Sequence, residues 1–251
     1  MPCYLEFMNS EVVFNQASHT YECDGQPLIS VTKVISELKP VFDKDTISKR
    51  CALRDGITQE EVLKAWEDAS LLALAKGSAT HAYIEDLFQG RVDKVTELCN
   101  ETPEIRAFKS AWSLLEKNFQ AKIVKQELIL GDPELGIAGT TDAIAKLWHP
   151  DPLFHVFDWK TGKKFDSSNR YEKLLPPFQD LDNCHLVVYS LQTSIYRLML
   201  ERKVKREGKS GVFGESYLVH LRPDGTSFLY RGRDYRERVL EWLLSRKKVA
   251  V

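Results

Sequence analysis

The apolar positions of this chain follow two rhythms. Between about residues 30 and 118 they recur at helical spacing. From about residue 121 to 160 they come in short runs rich in β-branched and aromatic side chains, separated by turn signals. Before the first rhythm, Glu11 to Leu28 reads as a hairpin. Val12, Val13 and Phe14 precede a turn, and Tyr21 leads to Asp24-Gly25, a dipeptide suited to a tight turn. Ser30 caps a short helix, Val31 to Leu38, that Pro40 stops. A second helix covers Asp45 to Arg54 and ends at Gly56. Thr58-Gln59-Glu60-Glu61 is a capping box. It opens a long helix whose Val62, Ala65, Trp66, Ala69, Leu72 and Ala73 keep helical spacing. Gly77 is expected to bend or break that helix before a second piece, Ser78 to Phe88. Thr102-Pro103-Glu104 supplies a cap, a proline in the first turn and an acidic residue for the helix dipole, starting a helix that runs to about Asn118.

The second rhythm predicts strands over Ala121 to Leu130, Ile137 to Trp148 and Phe154 to Lys160. Asp132-Pro133-Glu134-Leu135-Gly136 and His149-Pro150-Asp151-Pro152 are the turns between them. Asp182 is placed to cap a long helix reaching about Lys203. Strands follow at Gly211 to Leu221 and Ser227 to Tyr230, around Pro223-Asp224-Gly225, and a last helix covers about Tyr235 to Arg246. Helices first, a strand meander, a helix and more strand make an α/β protein with a mixed sheet. No internal repeat, low-complexity tract or linker divides the chain.

At 251 residues, 43% hydrophobic and 28% charged, the composition excludes disordered, collagen-like and disulfide-scaffold classes. No apolar run approaches the roughly 20 residues of a membrane span. The start, Met1 to Glu6, has neither a basic region nor an apolar stretch and reads as no signal peptide. Cysteines stand at positions 3, 23, 51, 99 and 184; their odd number and the lack of a CxxC point to reduced thiols and a cytoplasmic location. The net charge of −1 hides an asymmetry. Arg197 to Val251 holds 14 Lys and Arg against 7 Asp and Glu, and the rest holds 21 against 29. A basic carboxy-terminal part suits a polyanionic partner, though a solvated helix face accounts for such a run equally well.

The chemistry gathers in two of the strands. Side chains alternate along a strand, so Asp158 and Lys160 share a face. Asp142 lies sixteen residues earlier inside another apolar strand, and antiparallel pairing brings it opposite them. Two carboxylates and a lysine at one spot suit a hard divalent cation, Mg²⁺ or Mn²⁺, beside an attacking water. A lone Asp-x-Lys is most often a surface ion pair; its place in an apolar strand, with a second aspartate, is what raises it.

These residues resemble the PD-(D/E)XK nuclease superfamily, and within it the RecB-like exonuclease branch. Lys76-Gly77-Ser78-Ala79-Thr80-His81 resembles that branch's glycine-then-histidine helix. Gly139-Thr140-Thr141-Asp142 resembles its G-x-x-D strand, with Thr141 where the superfamily name has proline. Asp158-Trp159-Lys160-Thr161-Gly162-Lys163 resembles its D-x-K-T-G-K strand, and Gln192 to Tyr196 its Q-x-x-x-Y helix. The first 70 residues carry no part of the likeness.

The resemblance implies a restriction-endonuclease-like core, a mixed central sheet flanked by helices with an N-terminal helical elaboration. It implies one nuclease domain over 1–251, with 1–118 as the elaboration and 119–251 as the catalytic core. His81, Asp142, Asp158 and the carbonyl of Trp159 would hold the metal. Lys160 would orient or activate the water, and Gln192 and Tyr196 would contact the substrate backbone together with Thr161 and Lys163. Glu127 would bind a second metal or stand behind the ligands. The implied activity is metal-dependent hydrolysis of DNA, single-stranded or with a free end, in replication, recombination or repair, as in phage and mitochondrial genome-maintenance exonucleases. No iron–sulfur cluster is expected, because the last third of the chain holds only Cys184. No membrane is expected as a partner. The alternatives are a catalytically silent nucleic-acid-binding module of the same fold, an endonuclease, or a phosphohydrolase acting on a small ester.

Overall fold

The computed structural model describes residues 12–93, 101–148, 152–209 and 211–249. The residues Met1 to Glu6, Cys99 and the turn residues 149–151 lie outside them. Among the described residues, eight strands and six helices follow one another as β1 (Val12–Asn15), β2 (Thr20–Cys23), β3 (Gln26–Ser30), α1 (Val31–Ser36), α2 (Lys44–Asp55), α3 (Gln59–Phe88), α4 (Pro103–Phe119), β4 (Lys122–Asp132), β5 (Ile137–Leu147), β6 (Leu153–Thr161), α5 (His185–Arg206), β7 (Phe213–Leu221), β8 (Ser227–Arg231) and α6 (Arg236–Val249). This is a mixed α/β fold. One sheet runs β1-β2-β3-β5-β6-β7-β8, with β4 paired to β5 beside that path. β3–β5 and β6–β7 are parallel and the other pairs antiparallel.

Local sequence sets most element ends. Ser30 Oγ accepts the Lys33 N–H at the start of α1, and Asp43 that of Thr46 at the start of α2. Thr58 and Glu61 form the reciprocal capping box of α3, and Gly56 closes α2 in the left-handed conformation. The amino-terminal hairpin becomes a three-strand meander. Asp24 and Gly25, both at positive φ, turn β2 into β3.

Two expectations change. α3 is one continuous 30-residue helix through Gly77. The glycine serves close approach, since a Cβ there would stand 3.3 Å from Thr161 Oγ1 at the end of β6. Asp182 does not cap α5. The cap residue is Cys184, with no side-chain bond, while the Asp182 carboxylate accepts the Asn169 N–H and pairs with Lys173 in the preceding loop.

Helices cover both faces of the sheet. On one, Ile144, Val156 and Leu130 pack under Leu191, Ile195 and Met199 of α5 with Val31 and Val34 of α1 and Val239 of α6. On the other, Ala143, Ala145, Phe157, Trp159 and Val219 pack under Ile84 of α3 and Phe108 and Trp112 of α4. β6 is buried over six consecutive residues, as a central strand covered on both faces must be. Among the described residues no helix is long and apolar enough to cross a membrane.

Candidate active site

The sheet forks at β5. β4 occupies one edge of β5 along its length. On the other edge β6 pairs with Ala143 to Leu147, and β3 pairs only with Ile137 and Ala138. Gly139 to Asp142 lie between these two partners, and there side chains replace the ladder. Asp142 Oδ2 accepts the backbone N–H of Trp159 at 2.7 Å, just beyond the last β5–β6 pair, Ala143 with Phe157. The Thr140 hydroxyl meets Tyr21 OH from β2 at 3.1 Å.

The register places Glu127, Asp142 and Asp158 in one row across β4, β5 and β6. The pairs flanking Glu127 and Asp142 are Gln126 with Ala143 and Leu128 with Thr141. Glu127 has φ +43°, rare for a side chain with a Cβ. Backbone held this way costs about 1–3 kcal/mol and concentrates at functional sites. From α3, His81 reaches the same place, with Nε2 3.0 Å from the Trp159 carbonyl and Nδ1 3.6 Å from Asp142 Oδ2.

Ligand atoms of His81, Glu127 and Asp142 all lie within 4.8 Å of one another. One imidazole nitrogen and two carboxylates are a donor set that suits Mg²⁺ or Mn²⁺. Of the five groups expected at the metal, this trio is drawn together. Asp158 is turned onto Lys160, whose Nζ lies 2.9 Å from Oδ1 and 2.8 Å from Oδ2. The Asp158 carboxylate is buried, and both of its oxygens are within ion-pair distance of that ammonium. The Trp159 carbonyl accepts one hydrogen bond, from His81 Nε2.

Electrostatics follow from burial and crowding. Burial pushes the Glu127 carboxyl up to about 8, and the charges of Asp142, Glu85 and Asp158 push the same way. Burial raises Asp158 to about 6, against the pull of Lys160. For Lys160, burial alone would favour the neutral amine. The charges of Asp158 and Asp142 and the Asp158 hydrogen bond outweigh it and hold the ammonium above the usual lysine range. The Lys160 ammonium also lies over the Tyr189 ring, 4.6 Å from its centroid.

Gln192 and Tyr196 meet on α5, where the Gln192 amide donates to Tyr196 OH at 3.0 Å. Tyr196 is 2% exposed, so it orients Gln192 from inside the core, and only Gln192 is partly open. Gly139 leaves room for that ring; a Cβ there would stand 2.9 Å from Tyr196 Cε1. Thr161 is half-buried under α3, and Lys163 is exposed on the following loop. In the basic carboxy-terminal part, Lys203 pairs with Glu207 and Arg206 with the buried Asp132, so these two charges are engaged within the fold. Trp112 and Trp159 are core, while Trp148 is 40% exposed with Lys146 over its ring.

A cleft of about 720 Å³ opens onto His81 and Glu127, bordered by α3 and by Phe14, His19 and Tyr21 of the first hairpin. The sequence pattern puts those three residues on a hairpin and gives them no role. The alternation of Val12 with Phe14, and of Tyr21 with Cys23, signals that Phe14 and Tyr21 share a face.

No protein-family model matches the sequence, and no curated protein matches it. Among solved structures, the chain is similar to the crystal structure of SSO0001 over 86% of this chain and 74% of that one, at 16% identity and a TM-score of 0.33.

Proposed function

We propose that this protein is a metal-dependent nuclease that hydrolyses DNA phosphodiester bonds, acting as an exonuclease that needs a free end. The observation that carries the reading is the row Glu127, Asp142 and Asp158 at the sheet fork, joined by His81 and by the Lys160 ammonium. His81, Glu127 and Asp142 would hold a divalent cation, with Asp158 adjoining. A bound cation would polarise the phosphodiester and make its water a stronger nucleophile.

The chain's own groups fix the rest. Lys160 is held protonated by two aspartates, so it donates hydrogen bonds to the water or to a phosphate oxygen and offsets developing negative charge. It does not take the water's proton. Asp142 anchors the Trp159 backbone and thereby the strand that carries Asp158 and Lys160. Gln192, oriented by Tyr196, donates toward the substrate backbone.

A digest with Mg²⁺ or Mn²⁺ tests this on closed circular duplex, linear duplex, single strand and a chromogenic phosphodiester. Loss of the linear or single-stranded substrate with survival of the circle is expected. Rapid nicking of the circle would make the protein an endonuclease. Binding without cleavage of any substrate would leave a silent module.

A further inference from the structure

We propose that the β1–β2 hairpin is a base-stacking wall that selects an unpaired DNA strand for the site at the sheet fork. Phe14 lies in the middle of three rings. Its centroid is 4.7 Å from that of Tyr21, its cross-strand partner, and 5.6 Å from that of His19. The wall is fixed in place, because Tyr21 OH meets Thr140 Oγ1 two residues before Asp142. Tyr21 is buried, Phe14 half-buried and His19 exposed. His19 has φ +51° at the hairpin turn, and its ring meets that of Phe14 edge-on.

The facing wall is α3, with Ala73, Leu74 and Gly77, and His81 and Glu127 lie at the same cleft. Among the described residues lining this cleft there is no lysine or arginine. A duplex presents its phosphates outward and is held by cations along its backbone. A cation-free wall of aromatic and small apolar side chains instead fits a base that has left its partner and offers a π-face. The polymer's phosphate then lies on the metal side of the cleft and its base on the hairpin side. The inference rests on the nuclease reading for what the metal side does, and its test is separate.

The full chain, with Ca²⁺ in place of Mg²⁺, is titrated into a labelled oligo-dT, the same oligomer with abasic sites, and a blunt duplex of equal length. Wild type is expected to bind the base-bearing strand most tightly. Phe14→Leu keeps the apolar packing but removes the ring, and should lose about five- to 150-fold in oligo-dT affinity, the span of one base–aromatic stack. Phe14→Tyr should retain it. His19→Asn serves if the Phe14 variant is poorly folded, since His19 is exposed and asparagine tolerates its backbone conformation. It should weaken oligo-dT binding and leave the abasic strand unaffected. Equal affinity of wild type for base-bearing and abasic strands would overturn the proposal. So would tighter binding of the duplex, or unchanged oligo-dT affinity in both ring-removing variants. Digestion of linear duplex and single-stranded DNA by wild type with Mn²⁺ is assayed alongside. Its absence, with the preference for bases intact, would sink the nuclease reading and leave the stacking wall standing.

Discussion

Both carboxylate oxygens of Asp158 face one ammonium, that of Lys160, with Oδ1 at 2.9 Å and Oδ2 at 2.8 Å. Two carboxylates alone would repel, and removing one would relieve the fold. The ion pair reverses that sign. Asp158→Ala leaves a cation without its partner, which for buried pairs costs roughly 3–5 kcal/mol. The loss should fall near the lower end, because the Lys160 side chain keeps 20% of its surface exposed. Urea unfolding of the metal-free protein measures it, and Asp158→Ala with Lys160→Met should recover most of the loss. An Asp158→Ala protein as stable as wild type would show that the pair contributes nothing. Either change should abolish cleavage.

Glu127, raised to about 8, carries a proton at pH 7 in the metal-free protein. A cation binds the carboxylate, so metal uptake must expel that proton. Affinity for Mn²⁺ should therefore climb with pH up to about 8 and level off above. Calorimetry in buffers of different ionisation enthalpy counts the proton; Glu127→Gln should bind more weakly and release none. Undiminished release in that variant would remove Glu127 from the ligand set.

The same shift bears on folding. The native carboxyl holds a proton that the unfolded chain, near the ordinary glutamate value of 4.5, gives up. Its contribution is complete below that value and is lost as pH rises through about 8. Thermal melts of the metal-free protein should fall across this window, and Glu127→Gln should flatten the fall. A slope that the substitution leaves intact belongs to another group.

Gly139→Ala would force a Cβ to 2.9 Å from Tyr196 Cε1 and 3.2 Å from Val31 Cγ2. Overpacking of this kind costs about 1–3 kcal/mol. The expected result is a lower Tm and weaker DNA binding, as Tyr196 can no longer orient Gln192. A variant with wild-type Tm would mean that the ring shifts freely.

Asp132 is fully buried and accepts from Arg202 Nε at 2.6 Å, Arg206 Nη1 at 3.0 Å and the Leu135 N–H. Burial works to raise its pKa, but the Arg202 bond and the two guanidinium charges prevail and lower it. Its stabilisation is thus present above the unfolded carboxylate range and lost as pH falls through the depressed value. Asp132→Asn should be less stable than wild type at pH 7, with the gap closing in acid. Because Arg206 belongs to this cluster, Arg206→Ala should lower Tm. An effect confined to the salt dependence of DNA binding would instead place Arg206 on the DNA track.

The sequence by itself determined what depends on near neighbours. Ser30, Thr58, Gly56 and Asp24-Gly25 fixed element ends, because caps and turns are satisfied within a few residues. Strand alternation put Asp158 and Lys160 on one face, and their contact follows from that spacing. Tertiary structure decided what long-range packing imposes. Gly77 could not be read as a close-approach site without Thr161, 84 positions away in the chain. Asp182 matched a helix cap but found Lys173 and the Asn169 N–H in its own loop, a competing local solution. Above all, the fork in the sheet was invisible. It exists because β3 and β6 share one edge of β5 at different heights, so Glu127, Asp142 and His81 converge where the ladder is interrupted. No local preference encodes that convergence; it follows from which strands find each other and how far each ladder runs.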